Sequence, residues 1–464
     1  MTALAAYLDR HAERQLAELA DLVRFPTVSA AAERAGDMRA CAGWIGDHLA
    51  AIGLEHVRLL ETGGHPVVYG DWLHAGPDGP TALVYGHYDV QPPDPLALWE
   101  SPPFEPAVRD EKLYGRGASD CKAQVWLNVK ALEALLAVDG RLPCNVKLIV
   151  EGEEELRPEG LEAVVQEHAA LLDADVAVIS DNGLFARDVP SLSVGLRGMA
   201  ALEVTLRTAR GDLHSGLYGG VVPNALHALG RIVAGLHDPR DGRVAVDGFY
   251  DRVREVSAEE RAAWARLPFD PAAFRAQVGA SELVGEAGYT PIERLFARPT
   301  LDVHGAWGGF RDPGVKTIVP AEAHVKLSCR LVPDQDPEEV VVLLRRHIER
   351  QAPAGARVTV DHALAGAWPI LTPVDHPAVR AALDALRDVY AREPVTVRSG
   401  WSVPVTAILK RRLGLDSVLL GFGLPTDNVH APNEHVDLTT FFRGVRTMAA
   451  FWPRLAAEWG ARVP

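Results

Sequence analysis

Four short apolar runs, each closed by glycine or by acidic residues, constrain this chain most. They are Thr81-Ala82-Leu83-Val84-Tyr85 before Gly86, and Asn145-Val146-Lys147-Leu148-Ile149-Val150 before an acidic stretch. Asp175-Val176-Ala177-Val178-Ile179 precedes Ser180-Asp181-Asn182-Gly183, and Ser417-Val418-Leu419-Leu420 precedes Gly421-Phe422-Gly423. Runs of this length, bounded by turn formers, read as buried strands. A helical stretch over 122–138 separates the first two. Strands alternating with helices indicate a mostly parallel sheet, the α/β class. The first 24 residues read as an amphipathic helix, with Leu4, Leu8, Leu16, Leu19, Leu22 and Val23 at helical spacing. Phe25-Pro26 ends it. A second helix is expected over 37–52, and helical patterning returns at 377–390.

The middle of the chain follows another rule. Residues 192–208 alternate apolar and polar side chains, as in Ala201-Leu202-Glu203-Val204-Thr205-Leu206-Arg207. That is the mark of antiparallel strands with one wet face. A helix is expected over 223–237, an alternating strand over 324–331, a helix over 338–351 and a strand over 357–360. The expected organisation is therefore a parallel-sheet domain, 1–191 and 369–464, interrupted by an α+β insert, 192–368.

Composition narrows the function. Cys41, Cys121, Cys144 and Cys329 are the four cysteines in 464 residues, with no CxxC pair. This excludes a disulfide scaffold and a thiolate zinc ribbon. The formal net charge of −15 argues against nucleic acid and anionic membranes as partners. The charged residues Asp9, Arg10, Glu13, Arg14, Glu18 and Asp21 interrupt the start, unlike a secretory leader, and no apolar run is long enough to span a bilayer. A cytoplasmic location is expected.

The polar residues that follow the strands carry the chemistry. Gly86-His87-Tyr88-Asp89-Val90, Glu151-Gly152-Glu153-Glu154-Glu155 and Asp181 all fall where open α/β sheets bind ligands, beyond the carboxyl ends of the strands. Imidazole and carboxylate are ligands for Zn²⁺. Two ions sharing a site need a bridging carboxylate and a shared water. Asp89, two residues after His87, suits the carboxylate that orients a ligating imidazole through its other nitrogen. Of the adjacent Glu154 and Glu155, one can bind metal while the other accepts a proton. Asp120 stands just before a helix, in Gly115-Arg116-Gly117-Ala118-Ser119-Asp120. It can act as an N-cap, present its carboxylate to the site, or do both. A clustered acidic stretch after a buried strand calls for a cation.

Six segments in this order resemble the carnosinase-type di-zinc dipeptidases, related to aminoacylase, acetylornithine deacetylase and carboxypeptidase G. They are Gly86-His87-Tyr88-Asp89-Val90-Gln91-Pro92, Gly115–Asp120, Glu151–Glu155, Ser180-Asp181-Asn182, Leu213-His214-Ser215-Gly216 and His430-Ala431-Pro432-Asn433-Glu434. The resemblance runs from about residue 5 to residue 460. It implies that His87 and Asp181 hold one zinc, that Glu155 and His430 hold the other, and that Asp120 bridges them. Mn²⁺ and Co²⁺ accept the same ligands. It implies Glu154 as general base, Asp89 as the group orienting His87, and His214 as the oxyanion-stabilising residue reaching a partner subunit's site in a homodimer. Arg330 would hold the substrate's terminal carboxylate, which its planar fork matches. Thr317 and Ser402 would be further substrate contacts. The insert would be the lid and dimerisation domain, and His435 a structural neighbour.

The chain departs from these relatives in three places. Cys121 follows the bridging aspartate, where Asp or Asn is usual and the peptide bond is generally cis. Arg157-Pro158 follows the acidic motif, and Trp401 stands where a small glycine is common. There is no H-E-x-x-H, no nucleophile elbow in Gly400-Trp401-Ser402-Val403-Pro404, and no third glycine after Gly115-x-Gly117. The expected activity is hydrolysis of dipeptides or short peptides with a free carboxylate. An N-acyl-amino-acid deacylase with the same machinery is the close alternative, and a catalytically silent metal-binding protein the remote one.

Overall fold

The four apolar runs do lie side by side. A computed structural model of the protein, describing residues 3–156 and 159–461, divides the chain into two compact units. The first contains 1–194, 372–397 and 404–464, and the second 195–371 and 398–403. In the first unit the strands Asn145–Glu151, Thr81–His87, Val176–Ile179 and Ser417–Leu419 are neighbours in that order, all parallel. Every residue of Asn145–Glu151 and Val176–Ile179 is buried. Side chains alternate between faces, so both faces of the sheet are covered, which is why these runs read as unbroken apolar stretches. Two antiparallel strands, Glu55–Leu60 and Val67–Trp72, extend one edge. Ser191–Leu196 extends the other, pairing Ser193 with Leu419. Glu55–Leu60 and Val67–Trp72 gave no clear sequence signal, whereas Ser191–Leu196, expected from the alternation over 192–208 to have one wet face in the insert, is buried at every position and pairs in this sheet.

The helix expected over 122–138 is Gln124–Asp139, preceded by a wider helical turn, Ala118–Ala123. Twelve consecutive residues of it, Gln124 to Leu135, are buried. It packs on the strand Thr81–His87, where a methyl group at Gly86 would stand 2.6 Å from Val125. Ala3–Val23 and the long helix Leu438–Gly460 lie against it, and Pro377–Tyr390 packs on the latter. No helix among the described residues is long and apolar enough to cross a membrane.

The second unit is built on an antiparallel sheet ordered Thr300–Gly308, Glu322–Leu331, Gly198–Arg207, Arg357–Ala365. Gly198–Arg207 and Glu322–Leu331 alternate buried and half-buried residues, as their sequences predict. The helices Ala225–Ala234 and Pro337–Gln351 supply Leu229, Ile232, Leu344 and Ile348 to the core on the apolar face. Residues 398–403 belong to this unit, although the sequence places them in the 369–464 segment. Arg157 and Pro158 lie outside the described residues.

One close approach ties together the loops that follow two parallel strands. Gly183 and Gly423 form an isolated bridge, and a β-carbon at Gly183 would stand 2.4 Å from the Gly423 carbonyl oxygen. Gly183→Ala is expected to destabilise the protein by about 1–3 kcal/mol, because the neighbour is backbone and cannot swing away. Gly43→Ala is the control: it lies within the helix Ala35–Ala51 with nothing within 4 Å of the new methyl, and should stabilise by up to ~1 kcal/mol. Chemical denaturation of both variants measures the opposite signs.

Candidate metal centre

Three of the four parallel strands deliver a polar residue at or just beyond their carboxyl ends. His87 closes Thr81–His87 and pairs in register with Glu151, the last residue of Asn145–Glu151. Asp181 stands two residues beyond Val176–Ile179. Asp120 lies in the turn Ala118–Ala123, joined to Cys121 by a cis peptide bond. Glu155 sits in the turn after Glu151, and His430 in the loop before the strand His435–Asp437, in the left-handed region at φ 60°.

These five residues, from separate parts of the chain, come together. Asp120 Oδ1 is 3.1 Å from His87 Nε2, and Asp120 Oδ2 is 3.1 Å from His430 Nε2. Asp181 Oδ1 lies 3.8 Å from His87 Nε2, and Glu155 Oε1 3.0 Å from His430 Nε2. Two donor groups result, one of His87, Asp120, Cys121 and Asp181, the other of Asp120, Glu155 and His430, sharing Asp120. The N-cap expectation for Asp120 fails: the carboxylate is turned to the two imidazoles, and Gly117 occupies the cap position of its helical turn.

Asp89 faces His87 with both its main chain and its carboxylate. His87 Nδ1 is 3.1 Å from the Asp89 carbonyl oxygen and 3.4 Å from its carboxylate, so the main chain is the nearer partner. The buried carboxylate also accepts the Glu154 N–H at 3.2 Å, the Glu155 N–H at 3.0 Å and the Ser29 hydroxyl at 2.8 Å. It thereby fixes the backbone that presents both glutamates. Gln91 donates to Glu155 Oε2 at 2.9 Å, leaving Oε1 for His430.

The donor set fits a pair of divalent cations. Burial works against a charge on His87, yet Cys121 and the carboxylates of Asp120, Asp181 and Asp89 offset it and hold the pKa well above its ordinary value. Burial raises the Glu154 carboxyl well above the usual range; His87 opposes this, and Asp181, Glu155 and Asp120 add to it. Asp120 and Glu155 raise His430 to about 10. The cluster holds more negative charge than its histidines neutralise, and cations on the same donors remove that excess. Burial and then Asp181 push the Cys121 thiol up to about 12.

Glu434 is the residue that sequence reasoning left without a role. Only 1% exposed, it accepts the N–H groups of Gly117 at 2.9 Å, Ser119 at 3.0 Å and Asp120 at 3.0 Å, and pairs with the buried Arg116 at 2.7 Å. Asp427, raised to about 7 by burial, accepts the Ser119 hydroxyl at 2.6 Å. A glutamate four residues after His430, in a segment already singled out, was the available signal. His435 is buried against Tyr114, with ring centroids 4.8 Å apart, and belongs to neither donor group.

The other four expected residues belong to the second unit, in two pairs. His214 is exposed, its Nδ1 accepting the Gly216 N–H at 3.0 Å. It is in register with Ile318, and the neighbouring Thr317 carbonyl accepts the Ser215 N–H at 3.0 Å. Arg330 donates to the Ser402 hydroxyl at 2.9 Å, which donates in turn to the Arg197 carbonyl at 2.6 Å. Trp401 is exposed.

Comparison with known proteins places the chain. The model of peptidase family M20/M25/M40 matches residues 83–454. The chain belongs to this family. A cysteinylglycine-S-conjugate dipeptidase of Corynebacterium striatum is 32% identical over 434 residues, covering 92% of each chain. The human Beta-Ala-His dipeptidase is 30% identical over 396 residues, 84% of this chain and 78% of that protein. The crystal structure of an M20 family metallo-carboxypeptidase from Sulfolobus solfataricus superposes with a TM-score of 0.81 at 31% identity, covering 96% of this chain and 99% of that one. The resemblance to carnosinase-type enzymes and the α/β fold are borne out. The protein is a metallopeptidase, and peptidases of this family use divalent metals.

Glu434→Ala is expected to cost about 3–5 kcal/mol, because it strands the buried Arg116 charge and three N–H groups. Equilibrium unfolding measures this. Divalent-ion affinity, measured by competition with a chelating dye, should fall with it, since Asp120 loses the acceptor of its own N–H.

Proposed function

We propose that the protein hydrolyses the peptide bond of dipeptides and short peptides that carry a free C-terminal carboxylate. The observation that carries this reading is the position of Asp120, each of whose oxygens faces a different histidine at 3.1 Å. His87 and Asp181 would hold one Zn²⁺, Glu155 and His430 the other, with Asp120 shared. Cations so held polarise the scissile carbonyl and lower the pKa of the attacking water. The named dipeptidase activities of the relatives support the substrate class.

The remaining work falls to this chain's own groups. Glu154 takes the proton of the attacking water and returns it to the departing amine. Its half-buried position beside the shared donors, with its backbone pinned by Asp89, supports that role. His214, whose Nδ1 is occupied by Gly216, offers Nε2 to the developing oxyanion. We assign it to the site of a partner subunit in a homodimer formed through the second unit, which would also act as a lid. Arg330 holds the substrate carboxylate, with Thr317 and Ser402 as further contacts. The four buried, free cysteines suit a reducing compartment such as the cytoplasm.

Release of amino acids from Ala-Ala and Cys-Gly, set against N-acetyl and N-succinyl amino acids, tests the reading. Dipeptide cleavage should vanish on chelation and return with Zn²⁺ or Mn²⁺. Faster cleavage of the N-acyl compounds would make the protein a deacylase, and no turnover with any metal would leave it a binding protein. Glu154→Gln should lower kcat about 10²–10⁴-fold while two metal equivalents stay bound by elemental analysis. Asp120→Asn should instead lose metal.

A further inference from the structure

A half-buried arginine whose Nε is sealed from solvent, lying beside a second arginine with no acid bonded to either, is an unusual arrangement. Guanidinium does not lose its proton in proteins, so burial of its charge demands a counter-charge. Arg197 immediately precedes the strand Gly198–Arg207, and its Nε is buried with no hydrogen-bond partner. On the neighbouring strand Arg330 pairs with Met199, so the two arginines are one diagonal step apart. Among the described residues no ion pair engages Arg197 or Arg330. Burial, and then the charge of Arg330, lower the Arg197 pKa to about 10, while Asp302 opposes this without bonding to either guanidinium.

The local chain is shaped around this group. Ser402 accepts from Arg330 and donates to the Arg197 carbonyl, joining the main chain of one arginine to the side chain of the other. The Arg197 N–H donates to the Trp401 carbonyl at 3.2 Å. A methyl group at Gly400 would stand 2.8 Å from Arg197 Nη2, so the absence of a side chain there leaves the guanidinium its place.

We propose that Arg197 is the second guanidinium of a carboxylate cradle, so that the free carboxylate of the peptide is gripped by Arg197 and Arg330 together. The inference rests on the reading of Arg330 given under the proposed function. One carboxylate has lone pairs for two guanidinium forks, and it would neutralise the charge that the fold leaves unpaired. The cradle thereby sets specificity for acids over amides.

The test is steady-state kinetics of the metal-loaded enzyme on Ala-Ala and on its C-terminal amide. Arg197→Met should raise KM for Ala-Ala about 10–100-fold, the size of a lost charge-assisted hydrogen bond. The amide should be little affected, so the preference for the acid collapses. Arg197→Lys should recover part of it. Should Arg197→Met fold poorly, Gly400→Ala must reproduce the selective loss by displacing the guanidinium. An equal loss for acid and amide in both variants, or no loss in either, would overturn the cradle. Two outcomes separate this inference from the reading beneath it. If Arg330→Met abolishes the acid preference and Arg197→Met keeps it, Arg197 alone is misassigned. A wild-type enzyme indifferent to amidation refutes both assignments.

Discussion

The functional architecture depends on one carboxylate serving two histidines. Asp120 can do this because its main chain is held from behind. Glu434 gathers three consecutive-region N–H groups, among them that of Asp120, and Arg116 balances the charge that this gathering buries. A carboxylate accepting several backbone N–H bonds is among the strongest neutral-to-charged anchors a fold can build. The turn carrying Asp120 is thereby locked to the loop carrying His430, and one side of the site is fixed to the other through the protein before any cation is considered.

Asp89 performs the matching task for the second side. Its oxygens are spent on the N–H groups of Glu154 and Glu155 and on Ser29, while its carbonyl lies nearest the back of the His87 ring. Glu154 and Glu155 therefore inherit their positions from a residue on the adjacent strand. The parallel pairing of His87 with Glu151 makes this possible, since it brings the two strand ends level. Charge crowding, not apolar packing, dominates the centre, and its surplus negative charge gives the site its appetite for divalent ions.

The sequence made much of this visible. The four parallel strands were legible because strands buried on both faces are apolar without interruption, and the residues closing them stood out by contrast. The insert was legible through strict alternation in 201–207. Other parts were hidden for physical reasons. The edge strand Glu55–Leu60 is half exposed and half polar, and Leu438–Gly460 contains Pro453, which masks a continuous helix. The second unit's helices Ala258–Trp264, Pro271–Val278 and Pro291–Ala297 are one to two turns each, too short for a period to register. Glu434 lies in a segment that stood out in the sequence, but the N–H groups and the arginine it holds are brought to it only by folding. Asp120 taken alone was ambiguous, because a carboxylate before a helix has an ordinary use as a cap, and its partners lie 33 residues upstream and 310 downstream.

The spread of the five donors along the polypeptide has a consequence for how the enzyme matures. Ribosomes release chains from the amino end, and His87 emerges long before His430. Until the closing loop arrives, Asp120 faces a single imidazole and lacks the Glu434 clasp. Of the two donor groups, the one that includes His430 is still incomplete at that stage. The full donor cluster is therefore assembled only when the last tenth of the polypeptide docks, so a pair of cations held as proposed would be acquired after synthesis.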